Sequence, residues 1–468
     1  MARNTVKDMT VGSPMKLILG FMLPLFLGML FQQFYNMVDT AIVGQYLGIN
    51  ALAGVGSTGS INFLVLGFVQ GVCTGFAIPV AQMFGSKDMD AMRRYVGSTI
   101  WLALIFAAVL TTLTGVFCGD ILRLMDTPED CFQQAYDYIF AIFIGIPVTF
   151  LYNILSGIIR SVGDSKTPLY FLLISSVLNV GLDIFMIVVL GMGVGGAGWA
   201  TVISQLVSGL LCLVYMIKRF DILRLKRSDM RFDKYYISRL LAVGIPMGLQ
   251  YSITAIGSIL IQTAVNGLGS AYVAAVTAGS KVSQLLCCPF DAMGSTMATY
   301  GGQNIGAGRP DRIRKGLADC SLLGIGYSLI GFMVILFFGE SLAMLFINDA
   351  DGGNVAEILG LSHQFLMTNG AFYVTLAFVN IVRFLIQGMG FSKIAIFAGV
   401  FEMTARGFVA LVLVPCFGFN AVCFANAAAW IFADIFLIPL FFRCIKRVSM
   451  KPAKGAPDPS EQTAAEHL

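Results

Sequence analysis

Apolar positions along this chain do not recur every three or four residues, as on a half-buried helix; they run on for about 20 to 30 residues before a polar break. Runs of that length cross a hydrocarbon core of roughly 30 Å as helices. Their order predicts twelve spans, near 15–43, 51–80, 95–117, 131–159, 168–190, 195–217, 241–265, 271–300, 317–338, 355–387, 393–415 and 420–442. Ten-residue stretches of alternating polarity are absent, which excludes a membrane β-barrel. The first run is too long for a secretory leader and is followed by further spans, so no segment is expected to be removed.

The polar breaks carry an orientation. Of the 30 Lys and Arg, all but Arg123, Lys281, Arg383 and Arg406 fall in segments that share one side: the N-terminal arm, 87–94, 160–166, 218–239, 309–315, Lys393 and the tail. The positive-inside rule therefore places both termini in the cytoplasm, here of a prokaryotic plasma membrane. The opposite loops, 119–130 and 339–353, are acidic. Composition agrees: 57% of residues are hydrophobic and 12% charged, against about 25% charged in soluble domains. The net charge of +4 thus reflects topology, and nucleic acid is not an expected partner. Ten cysteines show no metal-ligand spacing. Only Cys118 and Cys131, at the borders of an acidic loop, could bridge in an oxidising compartment.

The chain repeats itself. Residues 81–96 align with 302–317, matching Gln82 with Gln303, Gly85 with Gly306, Asp90 with Asp311 and Arg94 with Lys315. RSVGDSKT (160–167) matches QGMGFSKI (387–394), and Pro24 matches Pro246. The expected fold is an all-α polytopic membrane protein with twelve transmembrane helices in two pseudo-twofold-related six-helix lobes. The lobes are 1–217 and 240–447, joined by a basic linker, 218–239, and followed by a disordered tail, 448–468. Six spans per copy give both copies the same orientation, an arrangement suited to alternating access around a central cavity.

Few ionisable residues lie inside the runs: Asp39, Asp183, Lys281, Asp291, Arg383, Glu402, Arg406 and Asp434. A charge at that depth costs roughly 2.5–3.5 kcal/mol on insertion scales, so each should face a partner or a cavity. Gln32, Asn36 and Asp39 share a helical face, Tyr35 lies one turn before Asp39, and Asn179 lies one turn before Asp183. The two aspartates fall at similar depth in parallel helices, so they can meet inside the first lobe. Two acids in a poorly hydrated site cannot both stay ionised cheaply; a proton, Na⁺ or an organic cation relieves them, and each excludes the others. The repeat puts Ile261, Arg406 and Ala410 at the positions of Asp39, Asn179 and Asp183, so this chemistry is expected in one lobe only.

At these residues the chain resembles the multidrug and toxic compound extrusion (MATE) family, in its DinF-type prokaryotic branch. The resemblance rests on PLFLGMLFQQFYNMVDTAIVG (24–44), NVGLD (179–183) and GGAGWAT (195–201), and covers the whole chain. It implies a secondary efflux antiporter that exchanges organic cations for H⁺ or Na⁺, with Asp39, Asn179 and Asp183 at the coupling site and Gln32, Asn36, Asn153 and Thr201 around it. If Na⁺ is the coupling ion, Asp39 and Asp183 bind it. Other branches carry a second-lobe cation site; here span 241–265 has no acid, Thr254 stands near the expected position, and the tenth span offers Arg383.

Cation–π contact and soft packing nominate Phe34, Tyr35, Met37 and Tyr152 for a substrate cavity, and Pro24, with Gly28 and Gly44, as a hinge. Glu402 and Arg406, four apart, are expected to pair structurally. The alternative reading is a lipid-linked saccharide flippase, favoured by Lys281, Arg383 and Arg406 and opposed by a first lobe with no arginine at membrane depth. No P-loop, HExxH or Ser/His/Asp arrangement points to an enzyme or an ATP-driven pump. The expected protein needs no cofactor and works as a monomer in the bilayer.

Overall fold

The computed structural model of the chain describes residues 7–125, 127–347 and 355–450. The expected disordered tail beyond 450 and the acidic stretch 348–354 lie outside these. Among the described residues ten helices are long and apolar enough to span a membrane, and two bent pairs, each taken as one span, bring the number to twelve. The first lobe consists of Pro14–Leu47, Gly59–Gly85, Met89–Val116, the pair Phe132–Ile144 and Ile146–Ser161, Lys166–Ile184, and Gly193–Arg219. The second repeats the plan with Lys234–Asn266, Ser270–Gly306, Pro310–Met344, the pair Val355–Ala371 and Tyr373–Gly388, Ser392–Phe408, and Phe419–Ser449.

Irregularities recur with the repeat. The fourth and tenth spans bend by 47° and 50°. The fifth and eleventh each run into a π-helical turn, at Phe185–Val189 and Val409–Leu413. Several helices outrun the predicted spans at the basic end, where polar turns such as 89–94 continue the helix into water. Predicted span 51–80 is instead a short helix, Ile49–Ser57, a break at Thr58, and then the second span. The linker folds as two short 3₁₀ turns against the third span: Trp101 Nε1 donates to the Met230 carbonyl at 2.8 Å, and Gly97 admits the Asp229 carbonyl where a Cβ would stand 2.2 Å from it. Cys118 and Cys131 are both free thiols, so the bridge considered above does not form.

The lobes exchange ends. Ile18, Phe21 and Leu25 of the first span pack in the second lobe's core, while Ile237 and Leu240 of the seventh pack in the first lobe's. At the end bearing the termini, backbone meets backbone across the pseudo-axis. A Cβ on Gly85 would stand 2.0 Å from the Gln303 carbonyl oxygen, and one on Gly306 1.9 Å from that of Gln82. Repeat-related bonds lock this seam: Gln82 Nε2 donates to Gly388 O at 2.8 Å, and Gln303 Nε2 to Ser161 O at 2.7 Å. The second and seventh spans zip through Gly71 and Gly75, packed on Met247 and Gly244. The arm also crosses the seam, with Met9 N donating to Gln303 Oε1 at 2.8 Å and Arg312 holding the Met9 and Gly12 carbonyls.

The second lobe buries its charges as a network. Arg383 bonds Glu402, and Arg406 Nη1 lies 3.6 Å from the other Glu402 oxygen. The Glu402–Arg406 pair expected from spacing therefore exists, with Arg383 as its stronger member.

Two stability outcomes are expected in detergent. Gly85→Ala or Gly306→Ala drives a methyl into an unyielding carbonyl and lowers unfolding stability by about 1–3 kcal/mol, whereas Gly326→Ala, with open space around it, is neutral. Arg383→Gln strands Glu402 and costs about 3–5 kcal/mol. Thermal or denaturant unfolding checks both.

Candidate functional site

The first lobe encloses a polar chamber of about 150 Å³, lined by the first, second, fourth, fifth and sixth spans. Its walls mix apolar side chains such as Leu25, Leu66 and Leu169 with amides and hydroxyls, including Gln32, Gln70, Thr149, Asn153, Ser175, Asn179 and Gln205. In hydrocarbon such groups must satisfy one another, and many do. Asn153 Nδ2 donates to Thr149 O at 2.8 Å, Thr149 Oγ1 to Gln205 Oε1 at 3.1 Å, and Ser175 Oγ to Ser204 O at 2.8 Å. Asn179 Nδ2 reaches Thr201 Oγ1 at 3.5 Å.

Above the layer formed by Tyr35 and Asn179 stand the two acids. Asp39 is 6% exposed and Asp183 fully buried, so neither faces lipid. Their carboxyl groups lie within hydrogen-bonding reach of one another. Among the described residues, both Asp183 oxygens, Asp39 Oδ1 and Asn179 Oδ1 have no donor. Unpartnered acceptors facing each other have one natural filling, a proton or a cation held between them. The Tyr35 hydroxyl sits beside Gln32 and Gln205, and Tyr138 faces the same pair of acids.

Helix geometry explains which residues converge. Tyr35, four before Asp39, shares its inward side. Asn36, three before, is exposed, and its carbonyl accepts from Thr40 Oγ1 at 2.8 Å. Asn36, expected in the surround, is absent from the chamber lining. Phe34 and Met37 are 47% and 39% exposed and line no part of the chamber. Gln32, Tyr35, Tyr152 and Asn153 do line it, and so do Pro24 and Gly28. Pro24 stays inside one continuous first helix.

Four contributors escaped the sequence reading. Gln205 follows Thr201 by one turn, and Ser175 precedes Asn179 by one turn, so the face containing NVGLD could have been extended in both helices. Tyr138 is delivered by close packing: a Cβ on Gly198 of GGAGWAT would stand 2.9 Å from the Tyr138 carbonyl, so the glycine lets the fourth and sixth spans close. Arg160, assigned above to a cytoplasmic loop, is in the last turn of the fourth span and lines the chamber. The first lobe thus does present an arginine to its interior, contrary to the argument used against a flippase. The second-lobe arginines that favoured that reading are tied to Glu402.

A family description, MatE, matches residues 24–185 and 246–412, one block in each lobe. The probable multidrug resistance protein YoeA of Bacillus subtilis (strain 168) is 30% identical over 358 residues, covering 74% of this chain and 75% of that one. A second protein from the same strain, the probable multidrug resistance protein YpnP, is 30% identical over 390 residues, covering 82% and 83%. The crystal structure of MATE in complex with MaL6 matches the fold with a TM-score of 0.89 at 22% identity, over 96% of this chain and all of that one. With one matched block in each six-helix lobe and relatives aligned along most of its length, the chain belongs to the MATE family of multidrug transporters, multi-span membrane proteins that are not enzymes.

Proposed function

We propose that this transporter exports lipophilic organic cations across a prokaryotic cytoplasmic membrane in exchange for H⁺ or Na⁺, with Asp39 and Asp183 as the exchanging pair. The observation that carries this reading is the facing pair of buried, donorless carboxyls in one lobe, with apolar or basic residues at the equivalent positions of the other. A proton or Na⁺ neutralises the pair and weakens its hold on an organic cation; a bound organic cation opposes both. That mutual exclusion is what exchange requires, and it needs no nucleotide or cofactor. For Na⁺, Asn179 Oδ1 supplies a further neutral oxygen beside the carboxylates.

With the termini cytoplasmic, the seam through Gly85 and Gly306 closes the inner side, and the lobes are poised to receive ions from outside. The chamber is small beside the roughly 300–1,000 Å³ of pockets that hold drug-sized ligands, so a large cation is expected to occupy the space between the lobes and to act on the acids from there. Asp291 on the eighth span and Tyr251 on the seventh stand in that region and supply a carboxylate and an aromatic face. Neutralising the acids lets the first helix rearrange about Pro24 and Gly28, whose neighbours Leu169 and Leu172 leave only ordinary contact distances.

Two measurements bear on this. In proteoliposomes loaded with a fluorescent cation, an imposed inward H⁺ or Na⁺ gradient is expected to drive efflux. Asp39→Asn and Asp183→Asn should reduce that efflux to the passive leak; gradient-driven efflux that survives in both variants overturns the mechanism. Because neither acid holds up the fold through a donor, the same variants should unfold at or above the wild-type temperature, in contrast to Arg383→Gln.

A further inference from the structure

The pseudo-symmetry exposes a second charge in the chamber that the exchange reaction does not use. Arg160 aligns with Gln387 of the other lobe, and Gly28 with Gln250. In the second lobe these positions close on each other: Gln387 Nε2 donates to Gln250 Oε1 at 2.5 Å, and both side chains are buried. In the first lobe glycine leaves that space open and a guanidinium stands at its edge, so the plug of one lobe is the cavity of the other.

Arg160 has no ion-pair partner. Among the described residues no carboxylate oxygen lies within 4.0 Å of its guanidinium, and none of its nitrogens makes a hydrogen bond to a side chain or backbone group. Its charged-site neighbours are Tyr152, Cys73, Cys212 and Tyr251, all uncharged. Asp164, the nearest acid along the chain, is committed to capping the fifth span: it accepts from Lys166 N at 3.1 Å, Thr167 N at 3.0 Å and Thr167 Oγ1 at 2.7 Å. Arginine stays protonated in proteins, so this is a permanent, half-buried charge with no acidic partner among the described residues. Ser208 Oγ on the same wall is buried and without a partner.

We propose that the Arg160 end of the chamber is a binding site for the carboxylate of a small organic acid. A planar guanidinium with free N–H groups matches a carboxylate through two parallel bonds, and the hydroxyls and amides around it can hold what remains of the ligand. The volume fits a molecule of about benzene size, since an engineered cavity of similar volume holds benzene. A molecule bearing both an ammonium and a carboxylate would meet opposite charges along the chamber, with the acid pair near one end and Arg160 at the other. The site does not depend on the antiport reading, because occupancy is measured without any gradient.

The experiment is thermal unfolding of the full chain in detergent with benzoate, and with benzamide as its uncharged isostere. At about a tenfold excess over Kd, benzoate should raise the wild-type midpoint by roughly 1–2 °C and benzamide should not. Arg160→Gln should lose the shift, and Arg160→Lys should keep only part of it. Gly28→Gln, which installs the second lobe's plug and leaves the arginine in place, should also lose it. Equal shifts from benzoate and benzamide, or an undiminished benzoate shift in Arg160→Gln or Gly28→Gln, overturn the proposal. Should Arg160→Gln not fold, the Gly28→Gln arm decides alone.

Discussion

Hydrocarbon offers no hydrogen bonds, and every other feature of this protein follows from that constraint. Backbone groups must be satisfied within helices, and polar side chains must find one another inside a lobe. Each lobe answers differently. The second ties Arg383 and Arg406 to Glu402 and closes the space between Gln250 and Gln387 with a hydrogen bond. The first leaves two carboxyls facing each other and, among the described residues, an arginine without an acidic partner, with an open cavity along the same helices. A half-satisfied polar interior is costly, and the cost is justified where a ligand completes it.

Much of this was legible in the sequence because the membrane penalises error so heavily. Apolar runs gave the helices, and their Lys and Arg breaks gave a consistent sidedness. Asp39 and Asp183 stood out because few carboxylates occur in such runs, and parallel helices put them at matching depth. What failed was finer. A helix offers positions three and four before an acid as neighbours, and nothing local says which turns inward; Tyr35 does and Asn36 does not. Phe34 and Met37 look like cavity residues in any apolar run, and here they are exposed and stand outside the chamber.

Arg160 was missed for a different reason. It opens the stretch RSVGDSK, whose composition reads as a polar loop, while its backbone still belongs to the fourth span. Gly85 and Gly306 were visible as a repeated pair, but their purpose was not. Only the fold brings each against the carbonyl of the other copy's glutamine. The bend in the fourth span has a local signal, Gly145 followed by Pro147; the matching bend at Phe372 follows Asn369-Gly370 and has no proline.

The widened turns at Phe185–Val189 and Val409–Leu413 occupy equivalent places in the two lobes, although only the first lies next to an acid. Their slack therefore belongs to the scaffold and not to the ligand chemistry. A frame whose give is built in twice keeps it whatever side chains one half carries, so the acids of the first lobe can change without stiffening the other half.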